Sequence, residues 1–325
     1  MVVLSIEVAA IGRINVDLSL NVESLPAPGD HIFSTHSSVS FGGSAANFSR
    51  QLAKLGVEVA LYAYVGDDMF GKAAAKSLSD SGVDTEGVLI LENQPTGLFC
   101  NIKGQNGQQI IIANQGANRL LEKHVLDEDY LTQAKTVHVA GGFPMIAKRA
   151  TELATTEGMI FSFDPGRAAS DIDFSTILRS TDLLFLNRRE LKQYFGIKPS
   201  ERELRKIAKT FPGIVVVKMG EEGAIATDGF QYCTSRIFEV TVADTLGAGD
   251  AFAAGFVTAW TRSEDIEQAL HFANAVAAQA IAEDGAQNGQ PTLDETAQFL
   301  RDYGIYIDDI LRTFKGKGRR RRSRK

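Results

Sequence analysis

Cysteine, tryptophan and long apolar runs are scarce in this 325-residue chain. Two cysteines, Cys100 and Cys233, and one tryptophan are all it carries. Two distant thiols make no disulfide framework, so a reducing cytoplasm is the expected compartment. No apolar stretch reaches the roughly 18 residues that cross a bilayer; the longest, around Ala273 to Ala282, is interrupted by Asn274 and Gln279. The opening MVVLSIEVAAIGRINVD has no basic n-region, and a secretory signal is not expected. The turn after the first strand-like run, Gly12-Arg-Ile-Asn-Val-Asp, lacks the later glycines of a dinucleotide fingerprint, which argues against a dehydrogenase. No G-x-x-x-x-G-K-[ST] and no G-x-S-x-G occurs, which excludes a P-loop NTPase and a nucleophile-elbow hydrolase. The five histidines show no metal-ligand spacing and read as surface or core residues.

What is present is ordinary globular composition, 44% hydrophobic and 23% charged, enough for one large domain or two ordinary ones. The net charge of −6 hides a partition. From Lys315 the chain reads KGKGRRRRSRK, with eight basic residues and no acidic one. Of the 34 basic residues, 26 are left in the body against 40 acidic ones, a formal −14. Nucleic acid is therefore not expected as a main partner, because phosphate binding needs a basic face on the fold itself. The tail, residues 315–325, is expected to be disordered, with at most weak contact to nucleic acid or another polyanion.

Strand-like runs at Val2 to Ile11, Val59 to Val65, Thr136 to Ala140, Met159 to Asp164, Leu183 to Leu186 and Ile214 to Lys218 alternate with helical stretches. Those stretches are Ala45 to Leu55, Gly71 to Ser79, Met145 to Thr155, Glu201 to Thr210, Ala251 to Trp260, Ile266 to Ile281 and Leu293 to Tyr303. Alternation of this kind predicts right-handed crossovers and a mostly parallel sheet covered on both faces, an α/β fold. Two regions, about 13–41 and 94–114, are strand-like with no helix to cover them, the second turning at Asn106-Gly107. They predict a small β flap. No linker splits the body, so residues 1–314 are read as one domain.

Two glycine-rich segments carry the chemistry. In Asp244-Thr-Leu-Gly-Ala-Gly-Asp250, the stretch Gly247, Ala248, Gly249 can present backbone N–H groups at a helix N-terminus, where a phosphate or developing oxyanion is favoured. Asp250 then falls in the first turn, where its carboxylate could accept a proton, or could simply cap the helix. Gly42-Gly43-Ser-Ala-Ala-Asn47 allows close backbone approach and places an amide at the start of another helix, although a tight turn alone would account for it.

The run from Gly42 through Asn47, Ser49 and Gly56 to Gly66 resembles the first signature of the ribokinase-like (PfkB) carbohydrate kinases, and Asp244 to Gly255 resembles the second. Gly12 to Asp17, Gly116 to Asn118, Asn187 to Glu190, Lys218 to Gly223 and Asp284 to Ala286 match in order, so the resemblance spans residues 3 to about 303. It implies a three-layer α/β/α sandwich with a β-sheet lid, and transfer of the γ-phosphoryl group of ATP, with Mg²⁺, to a hydroxymethyl group of a sugar or nucleoside. Asp250 matches the catalytic base, and the Gly247 to Gly249 amides match the anion hole. Asn15, Asp17, Gly42, Gly43 and Asn47 match substrate-contacting positions, joined in some branches by an arginine where Arg167 stands. Asn187, Lys218, Gly220, Gly223, Thr245 and Asn274 match nucleotide-binding positions, and Glu190 a Mg²⁺ site reached through water. Asp244 and the backbone near Gly285 match a monovalent-cation site, implying K⁺, and the lid implies a homodimer. A free furanose, a nucleoside, a sugar phosphate or a keto-deoxy acid would each fit these residues, as would ADP or another NTP as donor. A non-catalytic sensor is the competing class, disfavoured because Asp250 and Glu190 are both kept.

Overall fold

The computed structural model describes residues 6–123, 126–166 and 172–314. Arg167 and the basic tail lie outside the described residues. In chain order the strands are β1 (Val8–Gly12), β2 (Asn15–Val22), β3 (His36–Gly42), β4 (Val59–Gly66), β5 (Val88–Leu91), β6 (Gly97–Gly104) and β7 (Gln109–Asn114). They continue as β8 (Thr136–Ala140), β9 (Ile160–Asp164), β10 (Leu183–Asn187), β11 (Ile214–Lys218), β12 (Ala224–Thr227) and β13 (Tyr232–Ser235).

Nine strands form one sheet in the order β13-β12-β11-β10-β9-β8-β1-β4-β5. Its pairs from β11 through to β5 are parallel, while β12 and β13 return antiparallel at one edge. Successive side chains of a strand point to opposite faces, so each central strand feeds two cores. Leu183 and Phe185 of β10 enter one, and Leu184 and Leu186 the other; Ile214 and Val216 of β11 divide from Val215 and Val217 in the same way. This explains the continuous apolar runs of the central strands. The remaining strands form a second, four-stranded sheet, β3-β2-β6-β7, turned at Gly107. The molecule is thus the expected α/β/α sandwich with a small β-sheet lid.

Several boundaries differ from the sequence reading. The first strand begins at Val8, and the antiparallel edge pair β12 and β13 and the short β5 were not foreseen, each being four residues long and weakly patterned. The helix read from Ala251 starts at Ala248 and runs to Ser263. Gly247 precedes it with φ +78, where a Cβ would meet the Ala286 carbonyl oxygen at 2.6 Å. That helix packs along Ile266–Ala280 through Gly255, whose missing side chain lets the Ala273 backbone approach. A helix at Arg188–Phe195, unread in the sequence, follows β10 directly. Among the described residues no helix is long and apolar enough to cross a membrane.

Candidate active site

Three adjacent strands end in polar residues: β9 in Asp164, β10 in Asn187 and β11 in Lys218. The carboxyl edge of a parallel sheet is where such folds bind ligands. Lys218 Nζ sits 2.5 Å from Asp164 Oδ2, the two side chains only 16% and 13% exposed. It also stands against Gly249, where an added Cβ would lie 3.4 Å from Nζ. Burial opposes the charge on Lys218, but the carboxylates of Asp164, Glu190 and Asp250 outweigh it and hold the ammonium above its usual pKa. One fixed cation thus stands beside the glycine turn. Asp164, which binds that cation directly, was not singled out from the sequence; its position as the last residue of a buried strand was the available signal.

Asp250 occupies the first turn of helix Ala248–Ser263, which has no side-chain cap. Its Oδ2 accepts a hydrogen bond from Asn47 Nδ2 at 2.8 Å. The Asn47 amide is held in turn: Gln287 Nε2 donates to its Oδ1 at 3.0 Å, and Gln290 Nε2 to its backbone carbonyl at 2.8 Å. Asn47 is buried and orients Asp250, and Gln287 and Gln290 are positioning residues the motifs did not reveal. Burial pushes Asp250 up to about 7; the Asn47 hydrogen bond and Lys218 pull it down, while Asp164 and Asp17 push it further up. Ala251 N bonds to Gly247 O and Ala248 N to Thr245 O, leaving the Gly249 and Asp250 amides for an anion.

Asp17 is on β2, beneath the turn that joins β3 to the helix Ser44–Lys54. A Cβ on Gly42 would lie 2.0 Å from Asp17 Oδ2, so only glycine lets that carboxylate lie against the turn. Gly43 follows with φ +99 and no room for a side chain beside the Arg13 carbonyl. Burial first, then the charge of Asp244, pushes Asp17 up to about 6. Asn15 is held through its Oδ1 by Asn118 Nδ2 at 2.9 Å. Asp17 opens into a cavity of about 370 Å³ between the lid and the loops that carry Asp244 and Gln287.

Asn187 and Glu190 close on each other. Asn187 Oδ1 accepts from the Arg189 and Glu190 amides, and Glu190 accepts from the Asn187 amide at 2.8 Å and from Asn187 Nδ2 at 2.6 Å. This is a capping box at the start of Arg188–Phe195. Gly220 and Gly223 bracket a tight turn after Lys218, with Met219 N bonded to Gly223 O at 2.8 Å. Asn274 is buried behind Gly223, donating at 3.2 Å to the Ser235 carbonyl that lies against that glycine and at 3.3 Å to the Arg236 carbonyl. Asp244 accepts from Leu246 N at 3.0 Å and faces Gly285 N at 3.4 Å, which brings together the two loops read as a cation site. His138 is a core residue: its ring stacks on Phe48 at 3.8 Å, its Nδ1 meets Ser162 Oγ, and burial with Lys218 pushes it down to about 3.

Among the described residues no three acidic, histidine or cysteine side chains form a metal cage. Mg²⁺ carried on nucleotide phosphates needs none; one or two nearby carboxylates and water suffice, and Glu190, felt electrostatically by Lys218, is such a carboxylate.

A carboxylate beside free helix amides and a fixed ammonium, under a β-sheet lid, is the arrangement expected of a phosphotransferase of the sugar and nucleoside kinase class. A profile of the pfkB family carbohydrate kinases matches residues 5–293, and the chain belongs to that family. It is 36% identical over 299 residues to an ATP-dependent ribose-1-phosphate kinase of Halopiger xanaduensis, covering 91% of this chain and 99% of that protein. A nucleoside kinase of Methanothermobacter thermautotrophicus is 28% identical, with 92% and 97% covered. Ribokinase of Arabidopsis thaliana, solved with ribose and ATP, superposes with a TM-score of 0.84 at 26% identity, covering 92% of this chain and 99% of that one.

Proposed function

We propose that this kinase transfers the γ-phosphoryl group of ATP to the hydroxymethyl group of a ribofuranose, with Asp250 as general base. The observation that carries this reading is the Asn47-oriented carboxylate of Asp250 standing beside the uncapped Gly247 to Gly249 turn and Lys218. The sugar hydroxyl gives its proton to Asp250 as its oxygen bonds the γ-phosphorus, the bond to the β,γ-bridging oxygen breaks, and ADP leaves. Charge accumulating on the transferred group meets the Gly249 and Asp250 amides and the Lys218 ammonium, the positioning and charge stabilisation on which phosphoryl transfer depends. Asn187, Gly220 and Gly223 line the nucleotide side, and Thr245 the loop before the anion hole. Mg²⁺, held through water by Glu190 with Asn187 beside it, would supply charge neutralisation on the nucleotide phosphates. Asp17, with Asn15 beside it, accepts hydrogen bonds from the ring diol. ADP release measured across ribose, nucleosides and sugar phosphates tests the reading, and no turnover of any furanose by folded protein would sink it.

Two subsidiary proposals accompany it. A monovalent cation between Asp244 and the 285–288 loop would order the anion hole, so K⁺ is expected to raise the rate over a bulky organic cation at equal ionic strength. Equal rates remove the claim. The lid face opposite Asp17, where Val39, Leu18, Cys100 and Ile112 lie abreast with Val39 58% and Ile112 60% exposed, supports a homodimer formed through the lid. A monomer by light scattering would oppose this.

A further inference from the structure

The ribofuranoses named for the relatives differ at the anomeric carbon, which carries a hydroxyl, a base or a phosphate. A furanose placed with its hydroxymethyl group at Asp250 and its diol at Asp17 would turn that carbon toward the lid cavity, which Asp17 lines. At about 370 Å³ the cavity falls in the range of sites for drug-sized ligands and is larger than a pentose needs. Strand register defines its lid wall. Ser40, Asp17 and Phe99 sit abreast at one end, and four residues along, about 13 Å, come His36, Asn21 and Lys103. Phe99 stands beside Asp17, and the aromatic ring in the far row is the imidazole of His36. The middle row, Ser38, Ser19 and Asn101, is hydroxyl and amide.

Two cations project into this space from opposite walls. Lys103 Nζ lies 3.5 Å from Asp244 Oδ2, longer than the roughly 2.7 to 2.9 Å of a charge-assisted hydrogen bond, so the ammonium is not locked to that carboxylate. Arg50 comes from the helix that carries Asn47, one turn on. Its Nε donates to Ser81 Oγ at 3.2 Å, and its Nη1 to the Gln287 carbonyl and to Gln290 Oε1 at 3.3 Å. These bonds fix the guanidinium on the cavity wall and leave Nη2 for a ligand. Asp17, Asp244 and Asp284 share the wall, so the two cations are set among three carboxylates.

We infer that Arg50 and Lys103 hold a phosphate on the anomeric carbon, so that the substrate is a furanose 1-phosphate and the product the 1,5-bisphosphate. This rests on the furanose reading and narrows it. A guanidinium and an ammonium converging from two elements suit a dianion, and the hydroxyl and amide row between them and Asp17 offers further donors.

Kinetics with ribose 1-phosphate, free ribose and adenosine, on wild type, Lys103→Met and Arg50→Gln, test it. Wild type should prefer ribose 1-phosphate in kcat/KM. Lys103→Met, a lid substitution outside the core, should lower kcat/KM for ribose 1-phosphate about 10- to 100-fold more than for ribose, mainly through KM. Arg50→Gln should show the same bias; because Arg50 also ties its helix to Gln287, the lysine variant decides if the arginine variant is unstable. Preference for ribose or adenosine, or equal penalties on phosphorylated and free sugar, would overturn the 1-phosphate assignment while the furanose reading stands. Folded wild type inactive on all three substrates would overturn both.

Discussion

Asn47 Nδ2 donates to Asp250 Oδ2 at 2.8 Å, a bond between residues 203 positions apart that joins the first glycine-rich segment to the second. Neither motif makes the site by itself. The first sets the orientation and the pKa of the carboxylate supplied by the second.

The base is expected to show itself in the pH profile. Asp250 sits at about 7 and must be ionised to accept a proton, so kcat should rise with pH through an apparent pKa near 7 and level off above it. Because the Asn47 bond favours the charged form, Asn47→Ala should move that limb to higher pH. A limb near 4, or one that Asn47→Ala leaves in place, contradicts the arrangement.

Asp250→Asn should cut kcat by at least about 10²- to 10⁴-fold, since the amide keeps the shape but cannot take the proton. The same substitution should stabilise the fold at pH 8. A carboxylate whose folded pKa is raised from 3.8 to about 7 contributes stability below pH 4 that is lost as pH rises through 7. The asparagine variant escapes that loss, so scanning calorimetry at pH 8 should show a higher Tm than wild type, and at pH 4 little difference.

Lys218→Met should lower kcat by roughly 10²- to 10³-fold, the usual effect of removing one donor to developing charge. It also leaves Asp164 without its partner, so Lys218→Met paired with Asp164→Leu should recover stability but not activity. Recovery of both would make the pair structural only. Thermal melts and single-turnover rates on the three variants separate the outcomes.

Asp17→Ala should weaken use of a ribo substrate by roughly 10- to 100-fold and harm its deoxyribo counterpart much less, because a half-buried carboxylate can accept from both hydroxyls of a vicinal diol. Equal penalties on the pair would show that Asp17 does not read the diol.

The central strands were legible because they are buried on both faces and read as unbroken apolar runs. Residues such as Leu183 to Leu186 admit no other packing in an α/β chain. The edge pair β12 and β13 was not legible, since four-residue strands such as Ala224–Thr227 carry too little pattern to stand apart from a loop. At the site, Asp250 was legible from the glycine-rich turn that places it at a helix start, whereas Asp17 and Lys218 came from the resemblance to the family's motifs. Gln287, Gln290, Arg50 and Lys103 were not, because each acts through a partner more than 100 residues away along the chain or across the lid, and no local spacing encodes such a contact.

Asp164, Asn187 and Lys218 end central strands of a nine-stranded sheet, while Asp17 and Lys103 stand on a four-stranded sheet whose edge strand β7 is exposed along its whole length. The two halves of the pocket therefore differ in how much free energy opens them. Elements with few buried apolar contacts open locally at a small fraction of the global cost. Mild urea or moderate warming should raise the KM for the sugar while the KM for ATP and the far-UV signal hold, and amide exchange in β6 and β7 should run far ahead of that in β10 and β11. The enzyme would then lose its acceptor specificity before it loses its nucleotide, failing first as an ATPase without a sugar rather than as an unfolded chain.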